Sequence, residues 1–147
     1  MAQSEFNLQL MDEFRANGGQ VVTGPFKDSQ MLLLTTTGRK TGQRHTTPMG
    51  YTVEDGGMYV MTTNALKPVI PQWFFNLVAN PEVTLEVGTE TYQARAEVQS
   101  DEASEAFLQR FAEREPRLKM ALEMMAANAA PNPRRRIPVV RFERLPA

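Results

Sequence analysis

The stretch LLLTTTGRKTGQRHTTPMG, residues 32–50, limits what this chain can become more than any other. It opens with an apolar and β-branched run of the kind that fits a buried strand. Gly38 and Gly42 then bracket Arg39 and Lys40, Arg44 follows, and a second extended run begins at His45. The pattern predicts a strand over 31–36, a basic turn, and a return strand over 45–53. Glycines let a backbone turn tightly and come close to a ligand. Exposed N–H groups and guanidinium forks hold anionic oxygens. The turn is therefore a candidate site for the acidic tail of a ligand. Its order, Gly-Arg-Lys-Thr-Gly, is not that of a Walker loop. A hairpin turn whose charges are merely solvated fits the same spacing, so the residues alone leave both readings open.

The flanking sequence predicts more elements. Phe6, Leu10 and Phe14 recur every four residues, which predicts a helix over 4–16 with Ser4 as its cap and Asn17-Gly18-Gly19 as its stop. Two readings of it stand: a helix packed on the sheet, or a lid or membrane-surface helix. Its polar face is mainly acidic, which weighs against the membrane version. A short strand is expected over 21–23, and another over 58–62 after the turn Asp55-Gly56-Gly57. Pro71 suits the first position of a helix running to Ala79, which Asn80-Pro81 ends. A hairpin over 83–87 and 91–98 follows. Further helices are expected over about 101–114 and 116–127, then a loop over 128–136 and a last strand over 137–144. Six or so mainly antiparallel strands with flanking helices make an α+β, barrel-like fold in one domain, residues 1–147.

Composition removes whole classes of function. Sixteen basic and 17 acidic residues leave a net charge of −1, which argues against a nucleic-acid partner. The chain has no cysteine, so thiolate chemistry and disulfides are excluded and a reducing compartment fits. With a lone histidine, His45, no metal site is expected. No apolar run approaches the roughly 20 residues of a membrane span, and no signal-peptide pattern is seen at the N-terminus. The expected setting is the cytoplasm, with peripheral contact at the inner membrane face through the N-terminal helix as the variant reading. Monomer is the default state.

LLLTTTGRKTGQRHTTPMGY, then PQWFFNLVANPEVTLEVG, then RRRIPVVRFER resembles the deazaflavin-dependent nitroreductase family, in the subgroup that uses coenzyme F420. The likeness runs over about residues 20–144. It implies a split β-barrel as in flavin-reductase-like FMN-binding proteins, with reduced F420 as hydride donor. Carried over by motif, Arg39, Lys40, Thr41, Gly42 and Arg44 would hold the phosphodiester and oligoglutamate tail. Arginine there offers bidentate contacts that lysine cannot. Thr46, Thr47, Pro48 and Met49 would line the ring or ribityl chain, with ordinary strand packing as the alternative for the threonines. Thr62, Thr63 and Asn64 would touch deazaflavin or substrate, although many relatives carry lysine or glycine where Asn64 stands. Trp73 and Asn76, three apart on the short helix, would pack beside the cofactor.

The resemblance also shows a departure. Nitroimidazole-activating relatives cover their substrate with a tyrosine-rich segment, where this chain has Leu118, Met120 and Met124. Methionines make an adaptable apolar wall, or fill a core at the same helical spacing. The expected acceptor is thus a quinone or an activated C=C such as an enone, with nitro compounds a side activity. No side chain is required as a catalyst, because the cofactor carries the hydride. Tyr51 is one candidate proton donor and solvent is the other. Two alternatives remain: an FMN-dependent oxidoreductase on the same fold, and a non-catalytic F420-binding protein.

Overall fold

The computed structural model describes residues 5–24, 27, 29–62, 71–114, 116, 120 and 138–146. Three helices, α1 (Glu5–Ala16), α2 (Gln72–Ala79) and α3 (Asp101–Arg114), accompany seven strands. The strands are β1 (Met31–Thr37), β2 (Arg44–Gly50), β3 (Thr52–Glu54), β4 (Gly57–Met61), β5 (Glu82–Val87), β6 (Glu90–Val98) and β7 (Val139–Arg144). They form one sheet in the order β2-β1-β5-β6-β7-β4-β3, and every pairing is antiparallel.

That order forces the sheet to curl. β2 and β3 are its two end strands, yet only Tyr51 separates them in the chain. One residue spans at most about 3.6 Å, so the two ends of the sheet must be brought together at Tyr51. This is the split barrel that the resemblance implies. The single strand expected over 45–53 is in fact two. Its first half pairs with β1 and its second with β4, and the backbone breaks where it passes between them.

Alternation along the strands sorts side chains into two faces. Leu32, Leu34, Val83, Leu85, Ala94, Ala96, Val140, Phe142 and Val60 point inward and form one core, sealed by Phe74 and Leu77 of α2. Leu33 and Met31 point the other way, beneath Leu10, Met11 and Phe14 of α1. Phe6, expected on the buried stripe of that helix, is 49% exposed, and Met11 takes its place. Two N–H groups of Arg15 donate to Glu86 at 3.0 and 2.9 Å, which docks α1 on β5. Residues 21–23 form no strand, and Val21 is buried under α1 instead.

The turns follow from their residues. Asp55 and Gly56 both have positive φ, 51° and 77°, as the two-residue hairpin between β3 and β4 requires. The amide of Gly19 donates to the Phe14 carbonyl at 2.8 Å and closes α1 with glycines at positive φ. Ser100 Oγ accepts from the Ala103 amide at 3.1 Å and caps α3. The helix expected over 116–127 and the loop over 128–136 fall largely outside the described residues. Pro116 and Met120 are helical, and Met120 is 64% exposed.

Candidate functional site

The basic turn, residues 38–43, joins β1 to β2. Gly38 N–H donates to the Gln43 carbonyl at 2.7 Å, and Gly42 N–H to the Gly38 carbonyl at 2.9 Å. Gly42 has φ 73°, which a side chain would strain. Gly38 sits in a tight place: a Cβ there would meet Thr41 Oγ1 at 3.0 Å and both the Gln43 carbonyl oxygen and His45 Nε2 at 3.2 Å, so its neighbours would have to give. The Lys40 and Thr41 amides carry no hydrogen bond among the described residues, and Lys40 has no ion pair there. Both residues are exposed, as are Gly42 and Arg44.

The two arginines are placed differently from Lys40. Arg39 leans on α2. Its backbone N–H and Nη1 both donate to Asn76 Oδ1, at 3.3 and 2.9 Å. Its Nη2 donates to Gln72 Oε1 at 2.8 Å, and its guanidinium lies 5.4 Å over the Phe75 ring. Arg44 crosses β1 on the outer face, where its Nη2 donates to Thr84 Oγ1 at 2.6 Å, and Thr84 is bonded in turn to Gln93. Gln72, Phe75, Thr84 and Gln93 were not singled out in the sequence. The four-residue spacing of Gln72 and Asn76 marks one helix face. Their partner lies 33 and 37 positions away, and no local pattern reveals it.

β2 divides the rest of the expected site. Thr46 pairs with Thr35 on the outer face, their hydroxyls 2.8 Å apart, and Pro48 lies opposite Leu33 on that same face. Thr47 and Met49 lie opposite Leu34 and Leu32 on the inner face, where Met49 packs against the core. The side chains of Thr46 and Pro48 therefore do not meet those of Thr47 and Met49. β2 is an end strand, so one side of its backbone is unpaired among the described strands. Trp73 is half-buried against the inner core beside Phe74. Thr62 is buried, and its hydroxyl donates to the Pro138 carbonyl at 3.0 Å. Thr63, Asn64, Leu118 and Met124 lie outside the described residues.

Tyr51 stands at the other end of β1 from the turn. There Gly18, Gly19, Val21, Met31, Tyr51 and Val87 border a cleft of about 420 Å³. Tyr51 also packs on the inner core, as does Tyr92, over whose ring the Arg144 guanidinium lies 4.3 Å away. Burial pushes the Tyr92 phenol above its ordinary value, partly offset by Arg144. Among the described residues no cluster of His, Asp or Glu could hold a metal ion. No helix among them is long and apolar enough to cross a membrane.

A family model, F420H(2)-dependent quinone reductase, matches residues 8–140, a span that includes the turn, β2 and α2. The chain belongs to that family. The cofactor of the family is the reduced deazaflavin F420. The F420H(2)-dependent quinone reductase of Mycobacterium tuberculosis (strain ATCC 25618 / H37Rv) is 37% identical over 65 residues, which are 44% of this chain and 44% of that protein. The match thus spans less than half the length of that curated relative. The structure of an F420-H2 dependent reductase, FDR-A, superimposes with a TM-score of 0.58 at 27% identity, covering 78% of this chain and 94% of that one. HutZ, the heme storage protein of Vibrio cholerae, shares the fold alone: TM-score 0.52 at 17% identity over 93% of this chain and 89% of its own.

Proposed function

We propose that this protein binds reduced F420 and passes its hydride to a quinone. The observation that carries this reading is the turn itself: an exposed Lys40 beside two amides that carry no hydrogen bond among the described residues, held by a positive-φ glycine at the start of an end strand. Such a turn fits a chain of carboxylates and a phosphodiester, whose oxygens need N–H donors and a cation. β1 separates the turn from the Tyr51 cleft by about 20 Å, at roughly 3.3 Å per strand residue. An elongated cofactor fits that distance better than a compact flavin phosphate does.

F420, when bound, supplies the hydride from its deazaflavin ring. The protein's residues bind, orient and exclude water. Lys40 and Thr41 hold the tail, and Gly42, bonded to Gly38 at positive φ, keeps the turn in shape. Thr47 and Met49 offer the inner face of β2 to the ring, and Trp73 offers an indole edge beside it. Tyr51 presents a hydroxyl that can give the acceptor its proton. Arg44, Thr46 and Pro48 keep β2 on β1 from the outer face. The acceptor class includes activated C=C bonds such as enones, and nitro compounds react more slowly.

Turnover tests the reading against a protein that merely stores the cofactor. Oxidation of F420H2 is expected to accelerate on adding menadione and to saturate with its concentration. Cyclohexenone is expected to follow. A bicyclic nitroimidazole should have the lowest kcat/KM of the three, because an acceptor held poorly against the ring loses turnover as well as affinity. Binding without turnover of any acceptor would leave a storage protein. A nitroimidazole ahead of both others would refute the acceptor order.

The tail assignment makes its own prediction. Lys40→Ala should weaken F420 binding by on the order of 1 kcal/mol at low salt, and less at high salt, as expected for an exposed charge pair. Arg44→Ala should leave F420 affinity nearly unchanged, because its guanidinium is engaged with Thr84 on the outer face. Fluorescence titration at two ionic strengths checks both. A larger loss for the Arg44 variant than for the Lys40 variant would reverse the assignment.

A further inference from the structure

α2 grips the exit of β1 at three points. Asn76 Nδ2 donates to Thr36 Oγ1 at 3.4 Å, Asn80 Nδ2 donates to the Thr37 carbonyl at 3.4 Å, and Asn76 Oδ1 takes both donors of Arg39 described above. Asn76 is only 6% exposed. Its oxygen has two lone pairs and two donors, so it has no acceptor capacity to spare for a ligand. Arg39, the next residue after Gly38, carries the amide that immediately precedes those of Lys40 and Thr41. Fixing that amide and the Arg39 fork together fixes the direction in which the turn presents its donors.

We infer that Asn76 is a positioning residue: it governs cofactor affinity through Arg39 and the turn, without touching the deazaflavin ring. This inference rests on the F420 reading above. The chemistry it predicts is selective. A shift of the turn weakens contacts to the anionic tail, which depend steeply on donor direction and distance. It leaves contacts to the ring, which lie on the inner face of β2 and on Trp73, where they were. Asn76 is therefore a determinant of tail recognition, and Gln72, which shares the Arg39 fork, is a weaker one.

The experiment compares two ligands on the same variants: F420, and the tail-less deazaflavin nucleoside with the same ring. Asn76→Leu should raise the F420 Kd about tenfold, the scale of losing a charge-assisted hydrogen bond, and change the tail-less Kd by no more than about twofold. Asn76→Asp keeps an acceptor for Arg39 and should recover most of the loss, whereas Asn76→Leu fills similar space without one. Asn76→Leu should cost F420 binding less in the Arg39→Ala background than alone, since the Nη1 bond the two residues share is already gone and only the backbone N–H and Thr36 bonds remain to lose. Should Asn76→Leu fail to fold, the surface change Gln72→Ala carries the test, with a loss of about threefold for F420 alone. Equal losses for both ligands would overturn the inference and make Asn76 a ring contact. No recovery in Asn76→Asp would overturn it as well. Failure of the unaltered protein to bind F420 would overturn the cofactor reading and this inference together.

Discussion

Gly19→Ala should cost on the order of 3 kcal/mol of stability, far more than the loss of one methyl-sized space elsewhere on the surface would indicate. Two penalties add. Gly19 sits at φ 88°, where a side chain costs roughly 1–2 kcal/mol. Its Cβ would also lie 2.3 Å from the Cα and the carbonyl oxygen of Gly88. Those are backbone atoms of the turn between β5 and β6, and they cannot swing aside as a side-chain tip can. Forcing them apart adds about 1–3 kcal/mol. Gly56→Ala is the control: φ is 77°, but nothing lies within 4 Å of the new Cβ, so only the backbone penalty applies. Urea unfolding of the two variants measures the difference. Equal midpoints would mean that α1 and the β5–β6 turn are not packed backbone to backbone.

The second large effect is expected at Arg39. Arg39→Ala should destabilise the protein by about 2 kcal/mol, because it leaves the buried Asn76 oxygen only the longer backbone N–H bond, frees Gln72 Oε1, and removes a cation from the Phe75 ring. Arg39→Lys should recover little. A lysine reaches one acceptor as a point charge, whereas the fork meets Asn76 and Gln72 at once. Lys40→Ala, one residue on, should change stability by no more than about 0.5 kcal/mol, as expected of an exposed position with no partner among the described residues. Thermal unfolding of the three variants orders them. An Arg39→Ala protein as stable as the Lys40→Ala protein would remove α2 as the anchor of the turn.

These two positions also show what could be seen in the sequence. The hairpins were legible because turn chemistry is local: Asp55-Gly56 and Gly88-Thr89 announce themselves, and the strands on either side follow. The helix over Gln72–Ala79 was legible from Pro71 and Asn80 alone. A barrel was expected, but the place where the sheet closes was not legible. Residues 45–53 read as one extended run, and only strand order shows that Tyr51 joins opposite ends of the sheet. The basic turn was visible as three cations near two glycines. Which cation stays available to a ligand was hidden, since the partners of Arg39 and Arg44 come from α2 and β5, more than 30 residues away. Period-2 alternation was the one unused clue. Spacing alone puts Thr46 and Pro48 on one face of a strand and Thr47 and Met49 on the other.

The central claim is that the turn at residues 38–43 selects a long acidic tail, and hence F420 over FMN. Parallel fluorescence titrations of the protein with F420 and FMN, at matched low ionic strength, test it most directly. The account predicts an F420 Kd at least about tenfold lower than that for FMN, a gap of roughly 1.4 kcal/mol that Lys40 and the turn amides can supply, and predicts that raising the salt narrows it. FMN binding as tight as F420, with no response to salt, would contradict it.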